Sequence, residues 1–115
     1  MTIKEVIDYV DAVKPNAFDN ETKTVWLNDV EGYVQTEVFL LNVDDVTRYS
    51  YDSDKNKTML VVPPHDKVYR AYLEAMIDFE NGEYNKYQNT MQMYNAWMGE
   101  YMRWFARTYR PADRR

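Results

Sequence analysis

Apolar and polar positions in the last third of the chain follow a helical period without interruption. Between residues 84 and 109, apolar and aromatic side chains recur in steps of three and four. One row holds Tyr84, Tyr87, Met91, Tyr94, Met98, Tyr101 and Phe105, and a second row beside it holds Met93, Trp97 and Trp104. The spacing predicts one long helix over residues 83–109. Because so much of its circumference is apolar, we expect this helix to contact other subunits as well as its own chain.

Three earlier segments show the same period and predict helices over residues 3–13, 20–40 and 67–81. Thr2 and Glu5 have the spacing of a capping box, which marks the start of the first helix. Side chains at positions 19, 20 and 66 can cap the other two helices. Each predicted helix therefore has a start signal of its own.

The dipeptide Asn81-Gly82 is a helix-ending signal between the last two predicted helices. So short a link predicts that these helices fold back on each other as an antiparallel hairpin. The alternative is one continuous helix that is kinked at Gly82. Pro111 ends the last helix, and we expect residues 111–115 to be a frayed tail.

Residues 42–64 lack a helical period. Two stretches, 47–51 and 58–62, are rich in residues that favour β-strands, and a polar segment separates them. This pattern predicts a β-hairpin or an extended arm around residues 47–62. Because a lone hairpin is marginally stable in water, we expect the arm to lie against the helices or to pair with a neighbouring subunit.

These elements predict one mainly α domain over residues 1–115. It is a small helical bundle with a long C-terminal antiparallel helix hairpin and the arm of residues 42–64. The aromatic fraction is 16%, and the 11 tyrosines supply most of it. Tyr and Trp suit interfaces as well as cores, so the composition fits an assembling protein or a small core built from tyrosine.

Charge is distributed unevenly along the chain. Residues 1–100 carry nine Lys or Arg and eighteen Asp or Glu, for a net charge of −9. Residues 101–115 carry five Arg and one Asp, for a net charge of +4. Arg107 near a helix C-terminus complements the helix dipole. The dipole accounts less well for the later arginines, Arg110, Arg114 and Arg115, which we expect to meet an acidic partner surface or nucleic-acid phosphate.

The residue types of catalysis and metal binding are sparse. The absence of cysteine excludes disulfides, thiol catalysis and thiolate metal sites. His65 has no Ser, Cys or second His at a useful spacing, so we expect it on the surface at a helix start. The segment 52–56 lacks the Gly and the bidentate Glu that an EF-hand loop requires. We therefore predict no enzymatic activity, no metal and no cofactor.

The sequence shows no targeting or membrane signal. Residues 1–9 are polar and acidic where a signal peptide needs an apolar run, and no stretch approaches the ~20 apolar residues of a membrane-spanning helix. We therefore expect a soluble protein that is made in the cytoplasm and has no membrane partner.

Two segments resemble a known family. One is PNAFD at residues 15–19 with WLNDVEG at 26–32, and the other is YLEAMIDFENGEYNKY at 72–87 with its continuation to Arg110-Pro111. They are similar to small head–tail connector, or adaptor, proteins encoded by long-tailed phages and prophages of Gram-positive bacteria. The resemblance covers about two thirds of the chain, and the arm takes no part in it.

The resemblance implies a mostly helical virion protein that assembles as a ring, commonly a dodecamer, beneath the portal protein. Such a ring extends the DNA channel and presents a platform to neck or tail-completion proteins. It implies a location in the virion neck after assembly in the host cytoplasm, and passing DNA as a further partner. The arginine end would then contact the portal or the DNA.

Candidate residues follow from the pattern and the resemblance together. The candidate assembly residues are Tyr49, Tyr51, Leu60, Val62, Trp97 and Trp104, and the candidate portal or DNA contacts are Arg107, Arg110, Arg114 and Arg115. One alternative is a monomeric helical regulatory module that binds a protein or DNA through its arginine-rich end. Another is a hydrolase built on acidic pairs such as Asp44-Asp45, although only one weak cluster supports it.

Overall fold

The computed structural model of the protein describes residues 1–109, and in this part the chain is mainly helical. The helices are α1 (Ile3–Val13), α2 (Asn20–Tyr33), α3 (Tyr51–Asp54), α4 (Lys67–Glu80) and α5 (Tyr84–Thr108). A π-helical turn, Val34–Val38, extends α2, and a 3-10 turn, Val43–Asp45, lies before α3. The predicted mainly α fold class is confirmed.

Local signals in the sequence set the start of α1. The backbone amide of Glu5 donates to the Thr2 hydroxyl at 3.1 Å, and the Glu5 carboxylate accepts from the Thr2 amide at 2.8 Å. The predicted capping box is therefore confirmed. α1 ends at Val13, two residues before Pro15, because a proline disfavours the helical region in the residue that precedes it.

A Schellman motif at Gly82 ends α4. Gly82 has a φ of 76°, which glycine adopts without steric cost. The amide of Gly82 donates to the carbonyl of Phe79 at 3.1 Å. The amide of Glu83 donates to the carbonyl of Asp78 at 2.9 Å. The chain therefore forms two separate helices here and not one kinked helix.

Ring contacts show how α4 and α5 pack. Phe79 of α4 lies against Tyr87 of α5 with centroids 5.1 Å apart, and Tyr72 lies against Tyr94 at the same separation. Residue numbers fall along α4 as they rise along α5, so the two helices run antiparallel.

The core is closed mainly by three helices and the arm. Its buried apolar side chains include Ile3, Val6, Ile7 and Val10 of α1, Trp26, Leu27 and Val30 of α2, Val68, Tyr69, Leu73 and Ile77 of α4, and Met59 and Val61 of the arm. α5 buries Tyr94, Met98 and Tyr101, while the other members of its two rows are half-buried or exposed. Among the members of these two rows, the described chain leaves Tyr84 and Met93 exposed.

The arm differs from its prediction. Across the described residues the structure has no strand in a ladder, and an isolated bridge joins Thr2 to Thr58. The short helix α3 occupies part of the segment that was predicted as a hairpin. The prediction for residues 47–62 was a β-hairpin or an extended arm, and the β-hairpin is wrong: outside α3 this segment is an irregular chain that packs on the helices.

Side chains of α2 explain why the arm needs no partner strand. The side-chain amide of Asn28 donates to the carbonyl of Tyr49 at 2.9 Å and accepts from its backbone amide at 2.8 Å. Gln35 forms the same pair of bonds with Thr47, at 3.0 and 2.9 Å. The side-chain amides of Asn28 and Gln35 thus form the hydrogen bonds to the arm's backbone N–H and C=O groups that a second strand would otherwise form.

Candidate assembly surface

A groove of about 340 Å³ lies between α2 and α5. It is lined by Asp29, Tyr33, Tyr72, Tyr94, Asn95, Met98, Gly99 and Met102. α4 packs against both helices, so its Tyr72 forms the base of the groove. The Tyr33 hydroxyl of α2 donates to the sulfur of Met102 on α5 at 3.7 Å. The groove thus offers aromatic faces and thioethers, which suit an adaptable binding surface.

Asp29 supplies the charge of this groove. Its carboxylate accepts a hydrogen bond from the Tyr72 hydroxyl at 3.1 Å. Burial and then the negative charge of Asp29 raise the pKa of Tyr72, and burial raises the pKa of Tyr94 to about 12. Both phenols stay neutral at pH 7. Within residues 1–109, Asp29 forms no ion pair, although Arg48 lines a neighbouring hollow of about 370 Å³ together with it.

A smaller hollow of about 190 Å³ shares Met102 with the groove. Its other lining residues are Glu37, Val38, Leu40, Phe105 and Ala106. It extends from Met102 in the groove to Val38 and Leu40, at the end of the π-helical turn. The acidic and apolar lining of the groove therefore continues along the same side of α5.

Three exposed aliphatic residues, Leu40, Leu41 and Val43, form what we call the apolar corner. Their exposed fractions are 76%, 42% and 80%. Leu40 also has a φ of 61°, a left-handed conformation that costs a non-glycine residue roughly 1–2 kcal/mol. Neither the exposure nor the conformation stabilises the isolated chain. A strained and exposed leucine is the kind of feature that a partner contact explains.

An aromatic cluster closes the C-terminal end of α5. Phe105 lies between Phe39 and Tyr109, with centroid distances of 5.2 and 4.7 Å. Beside it, a hollow of about 130 Å³ is lined in part by Val62 and Trp104. This end of the helix therefore presents rings close to the apolar corner, through Phe39.

Glu31 is a buried carboxylate that sequence reasoning did not identify. It accepts hydrogen bonds from the Tyr69 hydroxyl, from the Tyr49 hydroxyl at 2.9 Å and from the Leu60 amide at 3.1 Å. Burial raises the pKa of the Glu31 carboxyl, and these hydrogen bonds oppose the rise. The available signal was spacing, because Asn28, Glu31 and Gln35 place a polar stripe on one face of α2.

The arm candidates lie mostly inside the chain's own contacts. Tyr49 and Leu60 are half-buried and both donate to Glu31. Tyr51 is half-buried and its backbone amide donates to Glu21 at 3.0 Å. Val62 remains exposed and lies beside the aromatic cluster at the end of α5.

The two tryptophan candidates lie in different places. Trp97 is half-buried, with the ammonium of Lys67 4.7 Å from its ring centroid. Trp104 is also half-buried and lies against His65, with ring centroids 5.3 Å apart. They line separate hollows, so they do not form one patch with each other.

Of the four candidate arginines, the structure describes Arg107 alone. Arg107 is exposed in the last turn of α5, where a cation complements the helix dipole. The other three, Arg110, Arg114 and Arg115, lie outside the described residues.

Acidic and basic groups do not converge on a catalytic constellation in residues 1–109. No group of three or more His, Asp or Glu side chains lies close enough there to hold a metal ion. Asp78 is buried and one of its oxygens accepts from Lys14 at 2.8 Å, but the other oxygen has no partner in this part of the chain. None of the described helices is long and apolar enough to cross a membrane.

We compared the chain with family models, with curated proteins and with solved structures, and none of the three comparisons finds a match. The groove, the apolar corner and the aromatic cluster are therefore the observations from which a function can be inferred.

Proposed function

We propose that this chain is a structural subunit of a phage virion, a head–tail connector. In this proposal it assembles as a ring beneath the portal protein and extends the DNA channel toward the tail. The resemblance of residues 15–32 and 72–111 supports the family. The surface left uncovered by the fold supports assembly as the mode of action.

The apolar corner is the observation that carries the proposal. Full burial of a leucine or valine side chain stabilises a protein by about 1.5–3 kcal/mol, and the corner leaves three such side chains exposed. A partner that covers Leu40, Leu41 and Val43 gains that free energy on binding.

The remaining features fit a subunit of a ring. The antiparallel α4–α5 pair supplies a stiff body, and the groove and aromatic cluster continue from the corner along α5. The acidic body of residues 1–100 would repel DNA in a channel and let it slide. The arginine end would contact an acidic protein surface of the assembly, such as the portal protein or a neighbouring subunit, or the passing DNA.

A monomeric interaction module is the second candidate. The exposed Arg107, which forms no ion pair among the described residues, together with the basic sequence that follows it, favours this candidate. Binding through arginines predicts a loss of affinity when they are substituted and, for DNA, a steep dependence on salt.

Light scattering separates the two candidates. We expect the 13.9 kDa chain to form a ring-sized species, alone or after mixing with the portal protein of the same phage genome. Val43→Ser should weaken that assembly, whereas Val13→Ser, at an exposed valine of α1, should not. A chain that stays monomeric and does not bind the portal protein would contradict the connector proposal and favour the monomeric module.

A further inference from the structure

We propose that the groove between α2 and α5 binds the arginine-rich C-terminal end of a second copy of this chain, so that copies join head to tail. This inference rests on the proposed assembly function and names the two surfaces that meet. The groove is the one lined by Asp29, Tyr33, Tyr72, Tyr94 and Met102 together with their neighbours.

Charge complementarity between the two ends of the sequence is the first argument. Residues 1–100 have a net charge of −9, and residues 101–115 have a net charge of +4. The groove and its continuation carry Asp29 and Glu37, and neither forms an ion pair within the described chain. The most basic segment of one copy is therefore the complement of the acidic groove of another.

The side chains of the groove match the chemistry of arginine. The Tyr72 hydroxyl binds one carboxylate oxygen of Asp29, while the other oxygen accepts no hydrogen bond among the described residues. A guanidinium can donate to a carboxylate and stack on aromatic faces at the same time. Tyr33 lines the same groove and is 41% exposed, so its ring supplies such a face.

The length of the C-terminal segment favours the end of a second copy, and not the end of the same chain, as the occupant of the groove. Asn95 and Gly99 lie on α5, roughly 15 to 21 Å back along the helix axis from Tyr109. Residues 110–115 extend at most about 20 Å beyond Tyr109 when the chain is fully extended. To enter its own groove the end would have to reverse direction after Tyr109, and to reach Asn95 it would also have to be fully extended, whereas the end of a neighbouring copy has no such restriction.

The two surfaces also give the symmetry that a ring needs. The groove and the arginine end are different parts of the chain, so their contact is heterologous. Heterologous contacts repeat from copy to copy and close into a ring when the rotation permits. The inference therefore supplies a specific contact for the assembly proposed above.

Engineered cysteines test the contact directly, because the chain has no cysteine of its own. Asn95→Cys places a thiol in the groove, and Arg115→Cys places one at the arginine end. When the two variants are mixed under mild oxidation, we expect their mixed disulfide to form about tenfold faster than that of a control pair, because binding raises the effective concentration. The control replaces Asn95→Cys with Asn89→Cys, an exposed asparagine of α5 that does not line the groove.

Asp29→Asn in the groove variant should return the rate of cross-linking to that of the control pair. A mixed disulfide that forms no faster than the control would overturn the inference. A doubly substituted chain, Asn95→Cys with Arg115→Cys, that closes its disulfide as a monomer at high dilution would also overturn it, because the chain's own end then fills the groove. If cross-linking fails while the chain still assembles with portal protein, the connector proposal stands and this contact alone is wrong.

Discussion

Residues 47–61 of the arm and the apolar corner at residues 40–43 are close in sequence, but the first region is held by its own chain and the second is left exposed. In the arm, the backbone of Thr47 and Tyr49 is paired with two side-chain amides of α2, and the Leu60 amide binds the buried carboxylate of Glu31. In the corner, Leu40 and its aliphatic neighbours are exposed. The strand-like segment is therefore fixed inside the chain, and the surface available to a partner lies where α2 ends.

This difference shows that composition alone does not identify the assembling segment. Exposed apolar side chains gain free energy when a partner buries them, whereas hydrogen-bonded polar groups fix a segment to the rest of the chain. If the arm is fixed by its polar contacts, their removal should cost stability. If the corner serves a partner, changes there should leave stability intact and affect assembly.

Glu31→Ala should have the largest effect. Three donors would lose their acceptor in a buried site, and we expect the free energy of unfolding to fall by about 3–5 kcal/mol. Urea denaturation followed by circular dichroism measures the change. Glu100→Ala, at an exposed position of α5, is the control and should change stability by less than about 0.5 kcal/mol. Equal stability of the two variants would mean that the arm is not held by Glu31.

The same carboxylate should make stability depend on pH. Because the pKa of Glu31 is raised in the folded chain, the folded state binds the proton more tightly than the unfolded state does. Its contribution to stability is therefore present below its unfolded pKa and is lost as pH rises through the folded pKa. Relative to Glu31→Gln, the wild type should become more stable as the pH falls toward the pKa of Glu31 in the unfolded chain. Denaturation series of both proteins at matched pH values measure this difference in the free energy of unfolding. A difference that is constant with pH would contradict the assignment.

Asn28→Ala should have an intermediate effect. It removes both side-chain bonds to Tyr49, and we expect a loss of about 1–3 kcal/mol together with faster hydrogen exchange in residues 47–51. Asn89→Ala, at an exposed position of α5, should change neither quantity. Unchanged exchange in Asn28→Ala would show that the amide pair does not fix the arm.

Leu40→Gly should have the smallest effect on stability, and in the opposite direction. Glycine adopts the left-handed conformation without strain, so we expect a gain of up to about 1 kcal/mol, together with weaker assembly. Leu41→Gly is the matched control, since Leu41 has no positive φ and its replacement should lower stability slightly. Thermal unfolding and light scattering measure the two quantities. A variant of Leu40 that assembles as well as wild type would contradict a role for the corner.

Signals that are local in sequence predict local structure here. The capping box of Thr2 and Glu5 forms, and Gly82 ends α4, because each depends only on neighbours within five residues. The arm could not be predicted in the same way. Its backbone is satisfied by Asn28, which is 21 residues from Tyr49, and by Gln35, which is 12 residues from Thr47, and β-propensity contains no information about such partners.

The candidate surface was predictable only in part. The helical period identifies α5 as a helix with surplus apolar surface, but it does not say which rows α4 covers. Asp29 and Tyr33 become groove residues only when α2 lies beside α5. Leu40 has a positive φ shortly after the π-helical turn, and no pattern in the sequence indicated either feature.

Hydrogen exchange of the free chain and of the chain mixed with the portal protein tests the central claim most directly. The claim is that the corner and the groove, and not the arm, form the contact surface. We predict slower exchange on binding in residues 39–43 and 94–102, with exchange in residues 47–61 unchanged. Protection that appears in residues 47–61 alone, or nowhere in the chain, would contradict the account.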